Sequence, residues 1–556
     1  MALKTFFVRY RPHCVYAFLA LLVMAPLLRP GFILTLDMVF TPRIRMPHTV
    51  TSSYLFYALL HGLNFVVPSE ILQKILLLSI LFLSGFGMHR LVGLTRNTQD
   101  SNGQYAEIGA YVGGAFYMIN PFTYSRFMAG QFAVLLGYCL LPFFMYSLLR
   151  LLAQPSWRMS LMVAFWMTLI GIVSIHTLGP VVILFSVAFL LELGRRRWSR
   201  RQLVTLLKFC AVSIGIAVVA SGYWLLPLLL GHGATAQAVA GFGVGDEQAF
   251  AAAGGSAVGR VANIVRLQGF WAEGRDLFVL PQAHMAGWGL VVLLLWLCIS
   301  VGVVSLWRRR QRFITIVLLT DAVVGTLLGA GIANVALKRL LPAFGGFREP
   351  HKFVMLVALA YAFFAAAGVQ AILAHLERRK RRLRLSVAMG VALLLPVAIT
   401  PTMFWGFGGQ LQPRQYPKAW YDMNTRLGHG QNDTRVLFLP WHLYMDYGFA
   451  GRIIASPAPA FFDTSILSSN QPEFGAASPT DVDPAKAVLG GRILPSAPQG
   501  MHLGAQLASL RIKYVLLDKD DDYQKYGYLD QQTDLHLITQ NSSFRLYANT
   551  AYKEKK

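Results

Sequence analysis

The sequence predicts a polytopic α-helical membrane protein of about 11 transmembrane helices followed by a small α/β domain. Three observations carry that expectation. Of 556 residues, 55% are hydrophobic and only 14% are charged, where a soluble domain carries roughly a quarter charged residues. Apolar runs of about twenty residues recur from the N-terminus to Phe404, each long enough for a ~30 Å hydrocarbon core. The charge is also unevenly spread: the formal net charge is +24, yet residues 405–556 hold 15 Lys/Arg against 14 Asp/Glu.

Taken in order, the candidate spans are 15–34, 70–88, 105–120, 128–152, 158–175, 179–194, 204–230, 284–306, 313–333, 352–376 and 385–404. Lys4, Arg9 and Arg11 precede the first run, which is too long for a signal-peptide core and lacks a small-residue cleavage site. It reads as a retained first helix. The third run is short and contains Glu107, and the fifth and sixth are separated only by His176-Thr177-Leu178-Gly179-Pro180. Fused into one helix, 158–194 would run about 55 Å at ~1.5 Å per residue, so a break at Gly179-Pro180 is expected.

Loop charge settles the count. With eleven spans and a cytoplasmic N-terminus, the clusters Arg195–Arg201, Arg308–Arg312 and Arg378–Arg384 all fall inside, as the positive-inside rule requires. The positive charge therefore reports topology, and no nucleic-acid partner is expected. Residues 35–69, Asn120 to Phe127, 231–283, Asn334 to His351 and all of 405–556 fall outside. The division expected is a transmembrane region, 1–404, and an extracytoplasmic C-terminal α/β domain, 405–556. In the latter, Pro417 to Leu427 reads as a helix; Arg435 to Pro440, Ile512 to Asp518, Leu535 to Ile538 and Ser543 to Tyr547 read as strands. Residues 451–510, rich in Pro, Ala, Ser and Gly, read mostly as loop. Cys14, Cys139, Cys210 and Cys298 all lie in or beside apolar spans, which leaves no disulfide framework or thiolate metal site to read.

The outer face carries the chemistry-bearing residues. Asp37 follows the first span in Thr-Leu-Asp-Met-Val-Phe-Thr-Pro, a carboxylate where lipid meets water. Two roles fit it: a cap for the loop after the helix, or a general base whose basicity partial desolvation raises. Phe-Arg-Glu-Pro-His-Lys-Phe, residues 347–353, sets Arg348, Glu349, His351 and Lys352 just before the tenth span. A helical start after Pro350 would place Arg348 and Lys352 on one side, as a phosphate clamp or as a snorkelling belt. Arg126 lies in the turn Asn-Pro-Phe-Thr-Tyr-Ser-Arg-Phe-Met-Ala-Gly-Gln, residues 120–131, and His176 stands at the fifth-to-sixth hairpin. Asp246, Glu247, Glu273 and Asp276 offer oxygen ligands for a divalent cation at no diagnostic spacing. The sequence requires no cofactor and leaves the metal unknown. Asp321, inside the ninth span, is a buried carboxylate suited to a helix–helix hydrogen bond or an ion pathway.

An Asp shortly after the first span, a multi-span body and an outer C-terminal domain together resemble the GT-C superfamily of integral membrane glycosyltransferases. The 120–131 turn, the 347–353 segment and Leu-Arg-Ile-Lys-Tyr-Val-Leu-Leu, residues 510–517, are similar to YfhO-type membrane proteins and to the membrane part of actinobacterial arabinofuranosyltransferases. The likeness covers nearly the whole chain in layout through short motifs, and no Asp-x-Asp or Asp-x-Glu pair stands in the first outer loop. The resemblance implies a polyprenyl-phosphate-linked sugar as donor and an extracytoplasmic glycan, lipid or polymer as acceptor, in the cell (plasma) membrane. Asp37 would then be catalytic; Arg348, Lys352 and Arg126 would meet the donor phosphate; Glu349, His351 and His176 would support them. Two other classes use the same features: a transporter or flippase of a lipid-linked saccharide, with Asp321 in a coupling role, and a non-catalytic envelope assembly factor.

Overall fold

The computed structural model describes residues 2–95, 103–195, 197–334, 337, 346–428, 434–473 and 483–553. The expected outer segment from Asn334 to His351, the basic cluster at Arg195–Arg201 and the 451–510 stretch therefore lie partly outside the described residues.

Helix α1 (Ala2–Met24) passes into a 3₁₀ turn that ends at Leu28. The first span stops there, short of the expected Leu34, because Pro30 and Gly31 redirect the chain into strand β1 (Phe32–Ile33). Gly31 takes φ +117° and lies against the Arg414 backbone, where a Cβ has no room. Next comes α2 (Tyr54–Asn64), which buries Phe56 and Leu60 and exposes Leu55, Leu59 and Leu63. That apolar outer face suits a helix lying on a membrane surface.

The remaining apolar helices follow: α3 (Ser69–Val92), α4 (Gly103–Met118), α5 (Pro121–Met128), α6 (Phe132–Ala153), α7 (Trp157–Val173), α8 (Ile175–Arg195), α9 (Arg200–Ala220) and α10 (Gly222–Leu229). After the short helices α11 (Gly233–Gly241), α12 (Val244–Ala249) and α13 (Ala257–Ile264) come α14 (Trp288–Arg308), α15 (Arg312–Gly329), α16 (Val354–Arg378) and α17 (Arg382–Ile399). Among the described residues, nine helices are long and apolar enough to cross a membrane. The other two expected spans correspond to α4 and α7, of 16 and 17 residues. This is a multi-pass membrane protein.

Two expected boundaries move. The break between the fifth and sixth spans falls at Ser174, which is extended at φ −159°, and Gly179 and Pro180 lie inside α8. Gly179 serves packing there: a Cβ would meet the Phe347 and Phe353 rings. The 204–230 run is interrupted at Ser221. At the centre of the bundle, α16 is buried from Val354 to Gly368 except at half-buried Tyr361. Small residues bring its neighbours close: Gly113 of α4 sits over the Ala362 carbonyl, and Gly302 of α14 over that of Phe364.

The C-terminal region holds α18 (Lys418–Leu427) and a five-stranded mixed sheet of β3 (Arg435–Leu439), β6 (Ser465–Leu467), β7 (Ile512–Asp518), β8 (Leu535–Gln540) and β9 (Phe544–Asn549), in the order β6-β3-β7-β9-β8. Strand β3 runs parallel to β6 and β7; β9 runs antiparallel to β7 and β8. The 451–510 stretch, expected mostly as loop, contributes β5 (Arg452–Ala455), β6 and helical turns from Pro484 to Gln499. Its Leu489, Ile493 and Leu503 enter the apolar core on one side of the sheet. Two pairings fasten this region to the first loop: β1 with β2 (Pro413–Arg414), and the hairpin of β4 (Tyr444–Tyr447) and β5 through an Ile454–Leu36 bridge.

Candidate functional site

The site begins with the helix start at residues 120–123. Asn120 is extended and its side chain caps α5 by accepting from the Thr123 N–H at 3.1 Å, with Pro121 in the first helical position. The chain leaves α5 through Ala129 and Gly130, and Gly130 takes φ +73°. A Cβ on Gly130 would collide with the Met38 nitrogen and the Thr35 carbonyl oxygen. Its absence lets the first loop lie directly on this turn. The Asp37 N–H donates to the Ala129 carbonyl at 3.1 Å, and Thr35 Oγ1 donates to the Met128 carbonyl at 2.6 Å. From the other side, the Ala455 N–H donates to the Leu36 carbonyl at 2.9 Å. Leu36 itself is held at φ +33°, a sparsely populated conformation for a branched side chain.

Clamped in this way, Asp37 presents its carboxylate to a solvent-reached recess. Oδ1 accepts from the Tyr444 hydroxyl at 2.6 Å and Oδ2 from Gln131 Nε2 at 3.3 Å. Partial desolvation by the surrounding protein raises the carboxyl above the ordinary aspartate range, against the hydrogen bonds from Tyr444 and Gln131 that favour the anion. Glu349 and Lys352 are close enough to act on it with opposite signs. A polar cavity of about 220 Å³ opens between Thr35, Leu36, Asp276, Asp446 and Arg452, on backbone adjoining Asp37 but not lined by it.

Gln131 also connects Asp37 to a buried charge cluster. Arg126 is fully enclosed, and its guanidinium donates to Gln131 Oε1, to Glu349 Oε1 and, at 2.7 Å, to His351 Nδ1. Phe270 and Phe122 lie under it at 4.6 and 5.3 Å. Lys352 Nζ reaches the second Glu349 oxygen at 3.3 Å, and Gln131 Nε2 lies 3.5 Å from the same oxygen. Burial opposes ionisation of Glu349, but Arg126 and Lys352 outweigh it and hold the carboxyl down to about 2. Because arginine can only donate, His351 Nδ1 is an acceptor, which leaves Nε2 to donate to the Gln268 carbonyl at 3.2 Å. His351 is thus a neutral, oriented imidazole.

Arg348 takes a different direction. It donates to Asp246 Oδ1 at 3.3 Å and lies over the rings of Phe250 and Phe242 at 4.4 and 4.8 Å. Pro350–Phe353 is a 3₁₀ turn and does not set Arg348 and Lys352 on one helical face. His176 lies in the first turn of α8, its ring edge-on to Phe347 at 6.3 Å. The loop carboxylates do not converge: Asp246 caps Gly243 and pairs with Arg348, whereas Glu273 accepts from Ser125 and the Gly269 N–H. Among the described residues, no three His, Cys, Asp or Glu side chains are grouped to hold a metal ion.

No protein-family model and no curated protein matches the chain. Solved structures do. The mycobacterial arabinofuranosyltransferase AftD, determined by single-particle cryo-EM, superposes with a TM-score of 0.63 at 15% identity, covering 97% of this chain and 40% of AftD. A mutant form of AftD gives 0.59 at 14%, covering 98% and 42%. The apo oligosaccharyltransferase of Archaeoglobus fulgidus gives 0.47 at 13%, covering 92% and 70%. The chain shares its fold with the matched part of AftD. This chain spans about two fifths of the length of AftD.

Of the residues that the sequence singled out, Asp37, Arg126, Glu349, His351 and Lys352 fall into one neighbourhood, with Arg348 and His176 at its edge. Two connecting residues went unread. Gln131 stood in the quoted turn but carries no charge to draw notice. Tyr444 lies 407 positions from Asp37, and only the docking of the hairpin brings it in.

Proposed function

We propose that the chain is a GT-C-type membrane glycosyltransferase that moves a sugar from a polyprenyl-phosphate donor to an extracytoplasmic glycan, lipid or polymer, in the plasma membrane. One observation carries the reading: Gln131 joins the Asp37 carboxylate to the Arg126–Glu349–Lys352 cluster, so a base and a set of cations form a single continuous site. The likeness to an arabinofuranosyltransferase fold supports it.

In this reading Asp37 accepts the proton of the acceptor hydroxyl as that oxygen attacks the anomeric carbon. The bond from that carbon to the lipid phosphate breaks through an oxocarbenium-like state, and the phosphate leaves with its charge growing. Lys352 and Arg348 are the cations that stabilise it. Arg126, expected from the sequence to touch the phosphate, is enclosed by protein; its part here is to hold Glu349 and Gln131 in place. Purified protein incubated with radiolabelled polyprenyl-phosphate sugars and cell-envelope extract tests the proposal. Label in a new product supports it; donor that crosses a vesicle bilayer unchanged makes the protein a flippase instead.

A further inference from the structure

At the end of the bundle remote from Asp37, helices α14, α16 and α17 enclose a second site of different character. Gly302 and Gly368 press α14 and α16 together, with a glycine on each helix lying against backbone of the other. Larger side chains of both helices line a groove that α17 completes with Ala388 and Ala392, one helical turn apart. The result is an apolar groove of about 200 Å³ walled by Cys298, Val301, Val369, Leu373 and those two alanines.

The groove shares Val301 and Ile372 with a wider cavity of about 680 Å³, whose lining carries Arg308, Arg309, Arg378 and His375 and, among the described residues, no carboxylate. From Leu294 to Arg308 the two cavities follow α14 for about 21 Å at ~1.5 Å per residue, a length that suits one extended acyl chain. Val354 and Arg378 lie at opposite ends of α16, about 36 Å apart at ~1.5 Å per residue, so this mouth is remote from the Asp37 site, which Lys352 adjoins in the turn before Val354.

We infer that this composite cavity binds one anionic phospholipid, its acyl chain in the groove between α14, α16 and α17 and its phosphate against Arg308, Arg309 and Arg378. A narrow apolar slot leading to an arginine-lined mouth matches both halves of such a molecule, and basic pockets between membrane helices bind acidic lipid headgroups on these terms. A zwitterionic lipid gains less, because its own ammonium group opposes the three guanidinium groups. The site is independent of the proposed transfer chemistry and shares no residue with it.

Native mass spectrometry of the delipidated full chain tests the assignment, with phosphatidylglycerol and phosphatidylcholine of identical acyl chains as probes. Phosphatidylglycerol should bind at least tenfold more tightly. Combined Arg308→Gln, Arg309→Gln and Arg378→Gln should remove that preference. Ala392→Phe keeps every charge but fills the groove, and should weaken phosphatidylglycerol binding about tenfold. Combined Lys380→Gln, Arg381→Gln and Arg382→Gln removes neighbouring charge outside the cavity and should leave the preference intact. Equal binding of the two lipids, or loss of preference in the neighbouring-charge control, overturns the proposal. Soluble glycerol phosphate competing as well as the lipid also overturns it, by making the mouth a site for free phosphate.

Discussion

Asp37 and Tyr444, 407 positions apart in the chain, meet through a 2.6 Å hydrogen bond from the phenol to the carboxylate. One comes from the loop after the first membrane helix and the other from a hairpin of the C-terminal region. The proposed base is therefore tuned by a residue from the far half of the molecule, and the two regions make one site.

Replacing Asp37 with Asn keeps size and polarity and removes basicity. Sugar transfer should fall by roughly two to four orders of magnitude, with binding of the polyprenyl-phosphate donor unchanged. Initial rates and donor binding measured on the same preparation check this. A variant that retains a tenth of the wild-type rate removes Asp37 from the mechanism.

The pH profile follows from the direction of the Asp37 shift. A general base works deprotonated, so activity rises with pH through its pKa, and desolvation puts that acid limb above the ordinary aspartate range. The Tyr444 hydrogen bond favours the anion. Tyr444→Phe should therefore move the limb to higher pH, with activity restored as pH is raised. A limb that stays in place or moves down contradicts the assignment.

Arg126→Ala leaves Glu349 buried without its principal partner. The expected cost is about 3–5 kcal/mol, the range for breaking a buried ion pair by removing one side, read as a lowered melting temperature in detergent. Arg126→Lys should rescue little, because one ammonium group cannot serve Gln131, Glu349 and His351 together. Lys352→Met should leave stability nearly unchanged, since Arg126 still pairs Glu349, while weakening donor binding.

Gly130→Ala puts a methyl group against the Thr35 and Met38 backbone at a positive φ. Strain of about 1–3 kcal/mol is expected, and the Asp37 loop must lift from the Ala129 turn. Activity should drop more than stability. Gly390→Ala, at a helical glycine with open space around it, is the matched control.

Sidedness has a direct test. Arg195 lies over the Phe313 ring at 4.5 Å, and Arg308, Arg309 and Arg378 line one cavity, so the basic clusters gather at one end of the bundle. Asp37 and Glu349 lie at the other. Reporter fusions at Arg382 and at Lys556 should accordingly report opposite sides of the membrane, the former cytoplasmic.

Composition and run length made the fold class legible, because apolar periodicity is set by the bilayer and needs no knowledge of packing. The strands at Arg435 and Ile512 were legible for a similar reason: short β-rich runs between polar turns. Breaks inside apolar stretches were not. Gly179-Pro180 looks like a breaker, but the local cost of keeping it helical is offset by aromatic rings that pack on Gly179, a tertiary fact. The charged members of the site stood out because charge is costly beside lipid. Gln131 and Tyr444 did not, since a neutral donor has no such signature and its partner is fixed only by the fold.

The bridge between Leu36 and Ile454 also orders events in time. A ribosome working at ~5–20 residues per second reaches Tyr444 roughly 20–80 s after it has placed Asp37. Throughout that interval the Asp37 loop waits without the hairpin that clamps it, its strained turn and its carboxylate both open. The nascent loop therefore gains this second clamp only when the late hairpin has docked.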